Sequence, residues 1–207
     1  MRRRVRVSAT DPLAPVLAAL SHGCGGTSDY DLNPEITLPP GRRLRPAGVL
    51  VPVVYRGSEA RVILTKRSSA LKHHPGQIAF PGGKQDAADV DIRATALREA
   101  HEEIGLSPDT VDILGNLPRH ETVTGFDVTP VLARIHAPFI PRPDHGEVAE
   151  VFDVPLSHLM DPGRYRVEKR RWQGVWRRYY AVPFGPYYIW GATARILRMM
   201  AAMAGRS

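Results

Sequence analysis

The stretch that most constrains this chain runs from Asp91 to Pro108, and it admits one helix and little else. Asp91 is a residue type that caps a helix start by accepting hydrogen bonds from free backbone amides. Gly105 tolerates the left-handed conformation that ends a helix, and Pro108 forbids continuation. Between them, at about 100° per residue, Ala96, Leu97, Ala100 and Ile104 share one apolar stripe. Glu99, Glu102 and Glu103 stand in an i, i+3, i+4 relation and project together from another face. Three like charges there repel one another, with only Arg98 and a neutral His101 beside them. A divalent cation bound through carboxylates, waters and phosphate oxygens relieves that repulsion. An acidic solvated face steadied by Arg98 does so as well, and spacing alone leaves the two even.

Around this helix the chain reads as strands interleaved with helices, which implies a mixed α/β domain. Val49, Leu50, Val51, Val53 and Val54 form a β-rich run, and Arg61–Thr65 forms another after the turn-like Gly57-Ser58-Glu59. Ile78–Phe80 reads as a short strand entering the Pro81-Gly82-Gly83 loop, and Ile113–Leu117 and Val128–Ile135 as longer ones. Arg164–Arg171 and Val175–Val182 are expected to pair as a hairpin around Gln173-Gly174, with Trp190–Met203 as a closing helix. Residues 1–40 read as an N-terminal arm with a short helix around Pro12–Leu20, and residues 41–207 as the main domain.

Composition excludes several classes. The single cysteine, Cys24, rules out a disulfide framework or a cysteine-based zinc site, and a reducing cytoplasm is the expected compartment. Asp11, Pro12 and Pro15 interrupt what would be the apolar core of a signal peptide, while the arginine-rich opening leaves a mitochondrial presequence as the lesser reading. Arg195 and Arg198 break the other long apolar stretch, so no bilayer span and no membrane partner are expected. A formal charge of +7, from 28 basic and 21 acidic residues, favours polyanionic partners, whether nucleic acid or phosphate-rich small molecules.

The segment Gly83, Asp89, Arg98-Glu99-Ala100-His101-Glu102-Glu103-Ile104-Gly105-Leu106 resembles the Nudix box, G-x5-E-x7-R-E-U-x-E-E-x-G-U with U aliphatic. Asp89 stands where the first glutamate is expected, and eight residues rather than seven separate it from Arg98. The resemblance implies a metal-dependent hydrolase of diphosphate linkages on an α/β/α sandwich with a mixed β-sheet. By carry-over, Glu99, Glu102, Glu103 and the Gly82 carbonyl would bind Mg2+ or Mn2+, and Arg98 would orient Glu99 through an ion pair. The metal would activate a water. Its proton would go to a helix glutamate or to one outside the helix, where Glu147 and Glu150 are the candidates and ordinary loop solvation is the alternative.

Leu64-Thr65-Lys66-Arg67-Ser68 and the run from Lys72 to Gly83 are similar to the extra motif of the coenzyme A pyrophosphatase branch, as are Leu117-Pro118, Val123–Pro130 and Trp190–Ala194. The longer Asp89–Arg98 spacing fits that branch too. The implied substrate is coenzyme A or a thioester, cut to 3′,5′-ADP and 4′-phosphopantetheine. Arg67, Lys72 and His73 would then contact its phosphates. ADP-ribose, a dinucleoside polyphosphate or capped RNA is the alternative, and an inactive binding module a further one. The hairpin interleaves Arg164, Arg166, Lys169, Arg170, Arg171, Arg177 and Arg178 with Tyr165, Trp172, Trp176, Tyr179 and Tyr180. This could stack single-stranded nucleic acid; the favoured expectation is an edge hairpin with one aromatic, packed face and one cationic, wet face. Monomer and homodimer both remain open.

Overall fold

The computed structural model of the protein describes residues 11–21, 25–172 and 174–205. The opening arginines, Cys24 and Gln173 of the hairpin turn lie outside them. In chain order the elements are α1 (Ala14–Ser21), β1 (Thr27–Ser28), β2 (Arg45–Arg56), β3 (Glu59–Arg67), β4 (Ile78–Ala79), β5 (Gly82–Lys84) and α2 (Ile92–Ile104). There follow β6 (Val111–Asn116), β7 (His120–Glu121), β8 (Phe126–Ile135), β9 (Val148–Pro155), α3 (Leu156–Leu159), β10 (Arg166–Trp172), β11 (Val175–Ala181) and α4 (Gly191–Ala204).

Nine strands form one mixed sheet centred on β2, which runs parallel to β8 from Arg45 beside Phe126 to Val53 beside Arg134. The other edge of β2 is shared. Its later half pairs antiparallel with β3 and its first half with β5, so Val53 faces Val62 while Val49 faces Gly82. The Pro81–Gly83 loop is therefore built into the centre of the sheet, where Leu50 N donates to the Pro81 carbonyl.

The period-2 alternation of the strands divides the core into two layers. Leu50, Ile63, Val131 and Ala133 pack under Ala96, Ala100 and Ile104 of α2. Val51, Val53, Val62, Leu64 and Leu132 face the other way, toward Leu13, just before α1, Val16 of α1, and Leu197 and Met200 of α4. The expected α/β/α sandwich is what the chain forms.

Three expectations change. Residues before 41 were read as an arm, yet Leu13 and Val16 are fully buried, and Asp11 accepts from the Tyr55 hydroxyl at 2.8 Å and pairs with Arg134. The segment belongs to the core because two apolar residues and one carboxylate anchor it. Glu150, a candidate base outside the helix with loop solvation as the alternative, lies in neither a loop nor the helix but in β9, opposite Lys66 of β3. The basic hairpin forms a separate two-stranded ribbon of β10 against β11 rather than an edge of the main sheet. No helix among the described residues is long and apolar enough to cross a membrane.

Candidate active site

Both ends of α2 are closed as the residue types dictate. The Asp91 carboxylate accepts from Arg93 N at 2.9 Å and Ala94 N at 2.8 Å, and Gly105 takes φ of 70°. The helix approaches β2 more closely than a side chain permits: a Cβ on Gly48 would stand 2.6 Å from the Ile92 carbonyl oxygen. Gly83 is equally confined, since its Cβ would meet the Glu99 carboxylate at 2.5 Å. Gly82, at φ of 154°, adopts a conformation that side-chain-bearing residues avoid. These glycines are what let the loop and the acidic helix touch.

The three glutamates occupy different environments. Glu103 is 4% exposed and accepts from Gly82 N at 3.2 Å. Burial pushes its carboxyl up to about 8; the Gly82 amide and Arg67 oppose the rise, while the charges of Glu99 and Glu147 add to it. Glu99 is also raised by burial, against the pull of Arg98. Glu102 is largely exposed. Arg98 Nη1 donates to Glu99 at 2.9 Å and to Glu102 at 3.0 Å.

The other side of that guanidinium answers what the sequence left open. Arg98 Nε and Nη2 donate to Asp89 at 3.0 and 2.9 Å, a two-pronged pair. The same carboxylate accepts from Thr95 Oγ1 at 2.9 Å and Asp86 N at 2.9 Å. Asp89 is held well below the usual carboxylate range, chiefly by Arg98. The extra residue is taken up before the helix, where Val90 stands 91% exposed. Asp89 is therefore the anchor of Arg98, and Arg98 in turn holds two of the glutamates.

Of the remaining candidates, Arg67 ends β3 at a register shift after Lys66, and its Nε is buried with no hydrogen-bond partner. Glu147 is exposed at the start of β9, and its backbone carbonyl accepts from Ser68 N at 2.7 Å. Its charge registers on both Glu99 and Glu103. Lys72 and His73 are exposed on the loop between Arg67 and Ile78, so these two stay outside the packed cluster. Glu150 instead accepts from the Tyr187 hydroxyl, and Tyr187 stacks on Phe152 with ring centres 3.6 Å apart. Sequence patterning missed this wall, because its pairs are more than thirty residues apart.

The donor set is all oxygen and like-charged, which suits a hard divalent cation. Burial, with a smaller addition from the neighbouring carboxylates, raises Glu99 and Glu103, and a cation would offset both. Among the described residues, no three His, Cys, Asp or Glu side chains form a ready cage. Arg98 instead engages Glu99 and Glu102, and a cation competes with it for both. Separately, a cavity of about 610 Å³ opens beside the start of α2, lined by Gln85, Ile92, Asn116, Leu117 and Arg119. It holds none of the glutamates.

Comparison with known proteins identifies the family and the fold. The NUDIX domain family matches residues 44–176. The chain belongs to the Nudix family. A Nudix hydrolase called NudL from Enterobacter sp. (strain 638), itself uncharacterized, is 42% identical over 161 residues, covering 78% of this chain and 83% of its own. NudL of Cronobacter sakazakii is 43% identical over the same length and coverage. Among solved structures, the Nudix hydrolase RenU of M. smegmatis superposes with a TM-score of 0.54 at 22% identity, covering 79% of this chain and 88% of that one. This Nudix chain is a hydrolase, and its fold is that of the family.

Proposed function

We propose that this Nudix hydrolase cuts the diphosphate of coenzyme A or its thioesters, releasing 3′,5′-ADP and a 4′-phosphopantetheine product, with Mg2+ or Mn2+. The observation that carries the reading is Arg67. Arg67 lies within the motif similar to the coenzyme A branch, and with its Nε buried and partnerless its charge lowers the affinity of the Glu103 carboxyl for its proton. A cation left so exposed to its own desolvation cost is completed by a phosphate oxygen.

In this reading Glu99, Glu102, Glu103 and the Gly82 carbonyl hold the cation. When bound, that cation would supply charge to neutralise the diphosphate and to lower the pKa of a water. Glu147 takes the proton from that water as its oxygen bonds to phosphorus and the bridging P–O bond breaks. Arg98 keeps Glu99 and Glu102 oriented, and Arg67, Lys72 and His73 receive the phosphates.

The test is chromatography of products from purified protein, magnesium and coenzyme A. Release of 3′,5′-ADP is expected, and Glu102→Gln removes most turnover. Because Glu102 is 57% exposed, that variant melts as the parent does, within about 0.5 kcal/mol. Absence of coenzyme A cleavage alongside rapid hydrolysis of ADP-ribose or capped RNA overturns the substrate. Salt-sensitive RNA binding with no hydrolysis of any kind overturns the activity itself.

A further inference from the structure

The ribbon of β10 and β11 carries a feature that ordinary packing leaves unresolved. Arg170 and Arg177 stand directly opposite each other in its register, on the face turned toward the domain. Like charges so placed destabilise a strand pair. The Arg177 Nε and Nη1 atoms are buried and have no hydrogen-bond partner. Its guanidinium lies 5.5 Å from the centre of the Tyr30 ring, and that of Arg170 lies 5.4 Å from the centre of Trp190. Aromatic rings beneath guanidinium groups attract the charge but accept none of the in-plane N–H bonds.

The nearby carboxylates are already engaged. Glu168, on the same face of the ribbon, accepts from Tyr188 Oη at 2.5 Å, and Glu35 pairs with Arg178 at 3.4 Å. The ribbon is also clamped in place, since Asn33 accepts from Arg178 N at 2.7 Å and donates to its carbonyl at 3.0 Å. Arg177 thus carries desolvated nitrogens without a hydrogen-bond partner, and the exposed Arg170 faces it across the ribbon.

Contacts link this surface to β3 and β9, the strands beside the carboxylate site. Lys66, next to Arg67, faces Glu150, which holds Tyr187; Tyr188 reaches Glu168 and Tyr179, and Tyr179 packs on Trp190 at 5.0 Å. After Trp190, Thr193 Oγ1 donates to the Ile78 carbonyl at 3.1 Å, just before the Pro81–Gly83 loop. His74, on the intervening loop, senses the charges of both Arg67 and Asp29. A series of side-chain contacts therefore links Lys66, the chain neighbour of Arg67, to the ribbon that carries the arginine pair.

We propose that Arg170 and Arg177 form a phosphate-monoester subsite, separate from the diphosphate that is cut, which takes the 3′-phosphate of the nucleotide half of the substrate. A dianionic monoester offers enough acceptors for both guanidinium groups, and the two rings hold those groups flat. The identity of the natural ligand rests on the coenzyme A reading; the existence of the subsite does not.

Calorimetry of the full chain with 3′,5′-ADP and with 5′-AMP tests it, because the two differ only in the 3′-phosphate. The parent binds 3′,5′-ADP at least about 10-fold more tightly, and Arg170→Gln and Arg177→Gln each reduce the preference to roughly 2- to 3-fold or less. Arg177→Lys retains part of it. Arg170 is exposed, so its variant keeps the fold even where Arg177→Gln lowers the melting temperature. In turnover, the kcat/KM advantage of coenzyme A over its 3′-dephospho form falls in step, through KM. Equal loss for both ligands, or no preference in the parent, overturns the subsite. An arginine-dependent preference for 3′,5′-ADP without any cleavage of coenzyme A upholds the subsite and removes the proposed substrate.

Discussion

Asp89→Ala probes the arrangement on which the site's order depends. The carboxylate accepts from Arg98 Nε and Nη2, Thr95 Oγ1 and Asp86 N, and it is 6% exposed. The two neutral bonds contribute about 1 kcal/mol each. The ion pair, with Arg98 partly open to solvent, contributes about 1–2 kcal/mol after screening, less than a fully buried pair. The sum is about 3–4 kcal/mol, which for a chain of this length lowers Tm by roughly 10 °C. Melting of single and double variants with Arg98→Ala isolates the pair, with a coupling energy of about 1–2 kcal/mol expected. Turnover falls by roughly 10- to 100-fold in the single variant, because Arg98 loses the support that aims Glu99 and Glu102. The pH dependence has a fixed sign. Asp89 is depressed in the folded protein, so its contribution is complete above the ordinary value of 3.8 and fades as pH falls below it. Parent and variant therefore converge in stability in acid. A loss under about 1 kcal/mol with coupling near zero would refute the assignment of Asp89 as the anchor of Arg98.

Two further outcomes follow from burial. Glu103, pushed up to about 8, is protonated at neutrality without a cation; for this group stability is greatest below the ordinary value of 4.5 and is lost as pH rises through about 8. Divalent binding must displace that proton, so Mg2+ affinity rises with pH up to about 8, and calorimetry in two buffers of different ionisation enthalpy detects the release. Affinity independent of pH over that range removes Glu103 from the ligands. Leu13→Ala opens a fully buried position between the first helix and α4 and costs about 2–5 kcal/mol in denaturant melts. A change under about 0.5 kcal/mol would return the segment to the status of an arm.

Much of the scaffold was legible in local pattern. The apolar run of β2 and the two caps of α2 appear where alternation and residue type put them, because each depends on neighbours within a few positions. The strand β9 was not legible. Its charged start, with Glu147 just before it and Glu150 within it, reads as loop until β3 supplies the hydrogen-bonding edge. The hairpin was legible as a pairing but not as an orientation. Alternation assigns Arg170 and Arg177 to one face, and the contacts with Trp190 and Tyr30 turn that face inward.

The sequence by itself determined the acidic motif: a capped helix carrying Arg98, Glu99, Glu102 and Glu103 behind a glycine loop, in the order of a Nudix box. Only the tertiary structure decided what each carboxylate experiences. Glu103 sinks beneath Gly82 while Glu102 stays in water, and Asp89, displaced by one residue, still reaches Arg98. The reason is range. Helix and strand propensities act over a few residues, whereas desolvation and charge pairing depend on which distant segments close over a group.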